Sequence, residues 1–172
     1  KIIYTMLFKK DISKELKKEA INLGLCTEWT EKWGNPTKDE LVDKYVRGID
    51  FCIKHDYPSC EYMKKHFDRV MQKHGVFVDE DIDLQNTRII IANGRTSGRI
   101  SYDSYSVGTL YARHDSDLTV EVSGHAFVSI ETYDDCNISV FQRDGAKVFV
   151  YNHAGNIQTS GKVVIKDRKS PI

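Results

Sequence analysis

Apolar residues recur along this chain with two different periods. Through residue 75 they return every three or four positions; from Leu84 onward they alternate with polar ones. These spacings put side chains on one face of a helix and of a strand, respectively. Residues 13–23 (SKELKKEAINL) open on a Ser that can cap a helix and stop before Gly24, with Leu16, Ala20 and Leu23 on one face. Residues 26–34 (CTEWTEKWG) set Trp29 and Trp33 four apart, on one side of a short helical turn. The run 35–55 (NPTKDELVDKYVRGIDFCIKH) carries the Thr37–Glu40 capping box and a stripe of Leu41, Tyr45, Ile49, Cys52 and Ile53, which predicts one long helix. A last helix is expected from Pro58 and Ser59 to a stop at Gly75, packing Tyr62, Met63, Phe67, Val70 and Met71. Together they predict a compact unit of three or four helices over 1–76.

Beyond a linker and first β segment at 77–97, the alternating region 98–172 repeats. Ile100, Leu118, Ile138 and Ile157 align at intervals of 18, 20 and 19, with Tyr102, Val120, Val140 and Thr159 two residues later. A second run brings Leu110, Val128 and Val148 into register, then Ala112, Ile130 and Val150. The turn that follows is polar each time: RHDSD, TYDDC, NHAGN. A period near 19 with two or three short strands predicts an α+β chain: a helical domain, then a single-chain β-solenoid (β-helix) of about four rungs. An antiparallel sandwich is the alternative, since short alternating strands also build one; the in-register recurrence favours the solenoid. The Ile, Leu and Val set is expected inside, with Thr119, Glu121, Ser129, Glu131, Ser139 and Lys147 facing water. The helical unit is expected to cap one end of the coil, and the short last unit with Pro171 to blunt the other.

Charge narrows the function classes. Lys+Arg and Asp+Glu are both 25, so the formal net charge is zero, which argues against nucleic acid as the partner. No apolar run reaches membrane-spanning length, and the opening KIIYTMLFKK lacks a cleavage pattern, so it is not read as a signal peptide. Cys26, Cys52, Cys60 and Cys136 show no CxxC pairing and no His at zinc-ligand spacing, so they read as reduced thiols of a cytoplasmic protein. His55, His66 and His74 form no i, i+4 pair, and NGRTSGR (93–99) lacks the length and ending of a phosphate-binding loop. No metal, cofactor or catalytic residue is therefore expected.

Three groups remain as candidates. His114, Asp115, Asp134, Asp135, Cys136 and His153 sit in successive turns, which a solenoid stacks about 4.8 Å apart on one edge, although turns favour such residues without any chemistry. Phe141, Phe149 and Tyr151 are expected to point outward as one apolar patch for self-association or a protein partner. Trp29 and Trp33, with Arg95, Arg99, Arg113 and His114, could stack and grip a small ligand or nucleotide. The alternative for the tryptophans is a small helical core.

The helical head, the acidic stretch GVFVDEDIDL (75–84) and rungs such as SVGTLYARHDSDLTVEVSGHAFVSI (106–130) resemble uncharacterised solenoid proteins of bacteriophages and mobile elements in gut-type bacteria. Their rungs repeat phrases of the type S-x-V-x-A-x-D. The resemblance covers roughly 98 to 168 and departs in the first unit, where Val107-Gly108 replaces the internal Ala. It implies a structural or binding protein and brings over no catalytic residue. The sequence thus points to a non-enzymatic interaction module, with a small-ligand or nucleotide-sequestering protein as the second reading.

Overall fold

A computed structural model describes residues 11–169; Pro171 and the opening KIIYTMLFKK lie outside them. Two compact units divide the chain between Val70 and Met71. The first holds α1 (Ile12–Asn22), α2 (Thr27–Glu31), α3 (Lys38–Arg47), α4 (Ile49–His55) and α5 (Cys60–Phe67). Its core is Leu16, Ala20, Trp33, Leu41, Val42, Tyr45, Ile49, Cys52, Tyr57, Met63 and Phe67. Among the described residues no helix is long and apolar enough to cross a membrane.

Helix boundaries depart from the sequence pattern in three places. The cap of α1 is Asp11, whose carboxylate accepts from the Lys14 N–H (3.1 Å); Ser13 lies inside the helix and accepts from the Trp33 indole N–H instead (3.0 Å). The Thr37–Glu40 capping box forms as expected, but Gly48 divides the long run into α3 and α4. An added Cβ on Gly48 would lie 3.4 Å from the Trp29 ring, so glycine lets that indole pack against the junction. The last helix ends at Phe67, and a short 3-10 turn (Met71–His74) follows as part of the second unit.

The second unit is the solenoid. Its strands are β1 (Val76–Val78), β2 (Asp81–Gln85), β3 (Ile89–Asn93), β4 (Ser97–Tyr102), β5 (Val107–Ala112), β6 (Asp117–Val122), β7 (Phe127–Thr132), β8 (Asn137–Gln142), β9 (Lys147–Asn152), β10 (Asn156–Ser160) and β11 (Val163–Asp167). Odd-numbered strands make one six-stranded sheet, here sheet A, and even-numbered strands a five-stranded sheet B. Each described strand pairing is parallel, which rules out the antiparallel sandwich. The segment 77–97, read above as a linker with a first β segment, contributes β2, β3 and part of β1 to the same two sheets.

The registers settle which residues are equivalent. Leu118, Ile138 and Ile157 stack as expected, and so do Val128 with Val148 and Ile130 with Val150. The first unit does not fit the sequence alignment: Ile100 pairs with Val120, Tyr102 with Val122, Leu110 with Ile130 and Ala112 with Thr132. The partners of Leu118 and Val128 are Gly98 and Gly108. An aligned run of apolar side chains skips these two glycines and lands two residues late. Their glycines have a steric reason: a Cβ on Gly108 would overlap the ring of Tyr102, and one on Gly98 the Ile82 carbonyl. Tyr102 fills the space that Gly108 leaves, and its hydroxyl donates to the Thr87 carbonyl (2.7 Å).

Through the middle the true repeat is 20 residues, two strands of six and two turns of four. Burial follows strand alternation in β5, β6 and β7 alike, with the second, fourth and sixth residues inside. Inward side chains of both sheets form one core that includes Ile90, Ile100, Leu110, Leu118, Val120, Ile130, Ile138 and Val150. Each such aliphatic side chain, fully removed from water, contributes on the order of 1.5–3 kcal/mol. The residue that ends each turn is small and also points in: Ser116, Ala126, Cys136 and Ala146.

Candidate functional site

The turns were the most enzyme-like part of the sequence. In the structure they stack on the edges of the coil, and their polar groups are spent on the backbone. A residue with positive φ recurs every tenth position: Gly94, Ser104, His114, Gly124, Asp134 and Asp144. Such a residue turns its N–H away from the local chain. Asp134 Oδ2 accepts the N–H of His114 (2.9 Å), His114 Nδ1 that of Gly94 (2.9 Å), and Asp144 Oδ2 that of Gly124 (3.0 Å). His114 and Asp134 thus hold adjacent rungs together, while Asp115 and Asp135 face solvent. Cys136 points into the core, where burial pushes its thiol up to about 11; it is a packing residue rather than a nucleophile at neutral pH. Among the described residues no group of three or more His, Cys, Asp or Glu is placed to hold a metal ion.

The arginines proposed for a ligand occupy different environments. Arg99 lies on the outer face of sheet B, where its Nε and Nη2 both donate to Glu121. Arg113 is buried in the turn after β5, and its Nη1 donates to Asn93 Oδ1 (2.9 Å). Arg95 is exposed one rung earlier. His114 is already engaged, as described. Trp29 and Trp33 belong to the helical unit, so the six residues do not make up one site within either unit.

The aromatic trio is also divided. Phe141, Phe149 and Tyr151 alternate outward as expected, but Phe141 is on β8 of sheet B and the other two on β9 of sheet A. One four-residue turn separates the two strands and sends them to opposite sides of the coil. Phe141 stands alone, paired in register with Glu121 and Ser160. On sheet A the apolar group is larger than the sequence suggested. Val107 and Phe127 are directly paired and 48% and 42% exposed. Phe127 also meets Phe149, ring centroids 5.5 Å apart, and Val164 follows Phe149 on the next strand. Val107, Phe127 and Val164 are missed by reading one rung at a time; the signal for the first two is an apolar residue at 20-residue spacing, whereas the shortened last unit puts Val164 only 15 residues after its partner Phe149.

Beside this apolar strip lies a polar depression lined by Thr109, Ser129, Glu131, Tyr151, His153 and Arg168. The His153 ring stacks flat on Tyr133 (4.4 Å) and its Nε2 is 3.3 Å from Glu131 Oε1. Lys166 sits 5.7 Å from the ring centres of both Phe149 and Tyr151, and Arg168 5.4 Å from Tyr151. The face therefore combines aromatic rings, one carboxylate and several cations on a rigid backbone.

In the helical unit Trp29 and Trp33 line one cavity of about 320 Å³ together with Tyr45, Phe51, Lys44 and Arg47. Trp33 serves the helical core as well, being 7% exposed. His55 and His66 pack their rings, tilted, against Phe51 and Tyr62, respectively, with centroids 4.5 and 4.4 Å apart. Comparison of the chain with protein-family models, with curated proteins and with solved structures gave no match.

Proposed function

We propose that this protein is a non-enzymatic interaction module that associates with a second copy of itself through the outer face of sheet A. The observation that carries the reading is the outward strip of Val107, Phe127, Phe149 and Val164 on a parallel sheet whose strands are fixed by their pairing. Exposed apolar groups clustered on one face of a soluble domain mark an interaction surface. The strip is bordered by Glu131 on β7, Lys147 on β9, Lys166 on β11 and Arg168 just after it. A two-fold arrangement would set acid against base across the contact.

Size bounds the strength. Four strands (β5, β7, β9, β11) at about 4.8 Å spacing and about 20 Å length offer roughly 400 Å². A stable interface buries about 800 Å² per partner, so the association is weak and concentration-dependent. The resemblance of the rungs to solenoid proteins of phages and mobile elements supports a binding or structural role. The four cysteines, two of them buried, form no disulfide among the described residues, which supports a reducing, cytoplasmic setting.

Sedimentation equilibrium on the full chain, from micromolar to about 1 mM, tests the reading. The mass should rise with concentration, and Phe127→Ser should weaken association at least about tenfold without changing the melt. A wild-type protein that stays monomeric throughout the range would remove it.

A further inference from the structure

The cavity of the helical unit has the properties of a small-molecule site: about 320 Å³, mostly apolar walls with Trp29, Trp33, Tyr45 and Phe51 among them, and few polar groups. Its polar groups have a consistent sign on one side. Lys44 and Arg47 lie one helical turn apart on α3, and each is held over a different indole: Lys44 Nζ 5.8 Å from the centre of Trp33, the Arg47 guanidinium carbon 6.0 Å from that of Trp29. The rings thus fix where the two positive charges stand. Arg47 spends its Nε on Asp43 (2.9 Å), and a guanidinium retains further donors after such a bond. Asp50, also in the lining, repels an anion from its own side and so leaves the Lys44–Arg47 side as the place for one.

We propose that this cavity binds a flat aromatic carboxylate, its ring among Trp29, Trp33, Tyr45 and Phe51 and its carboxylate between Lys44 and Arg47. The walls argue against a nucleotide. The lining is mostly apolar, so ribose hydroxyls would find few polar partners beyond Asp50, whose charge also repels a phosphate. This site is independent of the association proposed for sheet A.

Three probes with one body and different charge test it by calorimetry on the full chain: 1-naphthoate, 1-naphthylmethanol and 1-naphthylmethylamine, with adenosine monophosphate as a fourth. Naphthoate should bind, with the alcohol at least about tenfold weaker and the amine weaker still. The double variant Lys44→Met, Arg47→Gln should bind naphthoate and the alcohol alike, and an unchanged circular dichroism melt shows that it folds. Because the chain has only two tryptophans and both line the cavity, the proton NMR signals of their indole N–H groups should shift on naphthoate binding. Absence of binding heat and of those shifts with naphthoate at millimolar concentration, equal affinity for the alcohol, a charge preference that survives in the double variant, or tighter binding of adenosine monophosphate would each overturn the proposal.

Discussion

The two outer faces of the coil share a backbone and an interior and differ in what they present. At equivalent positions sheet A shows Val107, Phe127 and Lys147, then Thr109, Ser129, Phe149 and Val164. Sheet B shows Ser97, Asp117, Asn137 and Asn156, then Arg99, Thr119, Ser139 and Gln158. Beneath both, the inward positions are mainly Ile, Leu and Val with the same burial pattern. The interior is what keeps the coil in register, because a slip of one residue would turn every apolar side chain into water. The outward positions carry no such constraint. An apolar strip there is a choice that stability does not require, and its confinement to one sheet is the reason that sheet is the one proposed for association.

The sharpest way to break this comparison is to change neighbours on one strand. Val148 is 1% exposed and inward, Phe149 outward. Val148→Ala should cost about 1–3 kcal/mol in urea denaturation, because a thin core cannot close the cavity, and should leave association intact once folded. Phe149→Ala should show the reverse. A silent Val148→Ala beside an unfolding Phe149→Ala would mean that inside and outside have been exchanged.

The stacked turns are common to both faces and should matter next. Asp134→Ala removes the acceptor for the His114 N–H and places Ala at a φ of 57°, for a loss of about 1–2 kcal/mol. Asp134→Gly should recover the conformational part of that loss, which a melt of both variants would show.

Alkaline pH probes the shared interior without mutation. Burial raises the Cys136 thiol to about 11 and raises the Tyr102 phenol as well. In the unfolded chain these groups ionise near their ordinary values, about 8.5 and 10. The folded protein then holds protons that the unfolded chain has released, so stability is full below about pH 8.5 and falls as pH rises through the folded values. Unfolding midpoints measured from pH 8 to 11 should decline, and Cys136→Ala should make the decline shallower.

The smallest expected effects are on sheet B. Arg99→Ala breaks an exposed ion pair with Glu121 and should leave the melting midpoint unchanged, since such pairs are solvated and screened. Phe141→Ser should change neither stability nor association. If Phe141→Ser weakened association as much as Phe127→Ser, the distinction between the faces would be lost.

Much of this fold was written in local pattern. Alternation of apolar residues predicted which side chains of β7 and β9 point inward, and recurrence of Leu118, Ile138 and Ile157 predicted parallel stacking in a solenoid. Thr37 and Glu40 marked the start of α3 because a capping box involves only four consecutive residues. Where a small residue stood for a large one, the pattern failed: Gly98 and Gly108 hid the first unit, Gly108 because Tyr102 fills its space and Gly98 because the Ile82 carbonyl lies there. Asp11 displaced Ser13 as a cap because the Ser13 hydroxyl is engaged by Trp33, twenty residues away.

The candidate sites were less legible for the same reason at longer range. Sequence alone determined that Phe141, Phe149 and Tyr151 face outward, since alternation along a strand is local geometry. Which sheet each faces out from depends on how the intervening turn routes the chain, so only the tertiary structure divided Phe141 from the others and joined Val107, Phe127 and Val164 to them. Likewise the spacing of Trp29 and Trp33 placed both on one side of a turn, but the cations held over them come from another helix. Periodicity records what a residue does to its near neighbours. A site is made by residues distant in sequence, and packing alone brings them together.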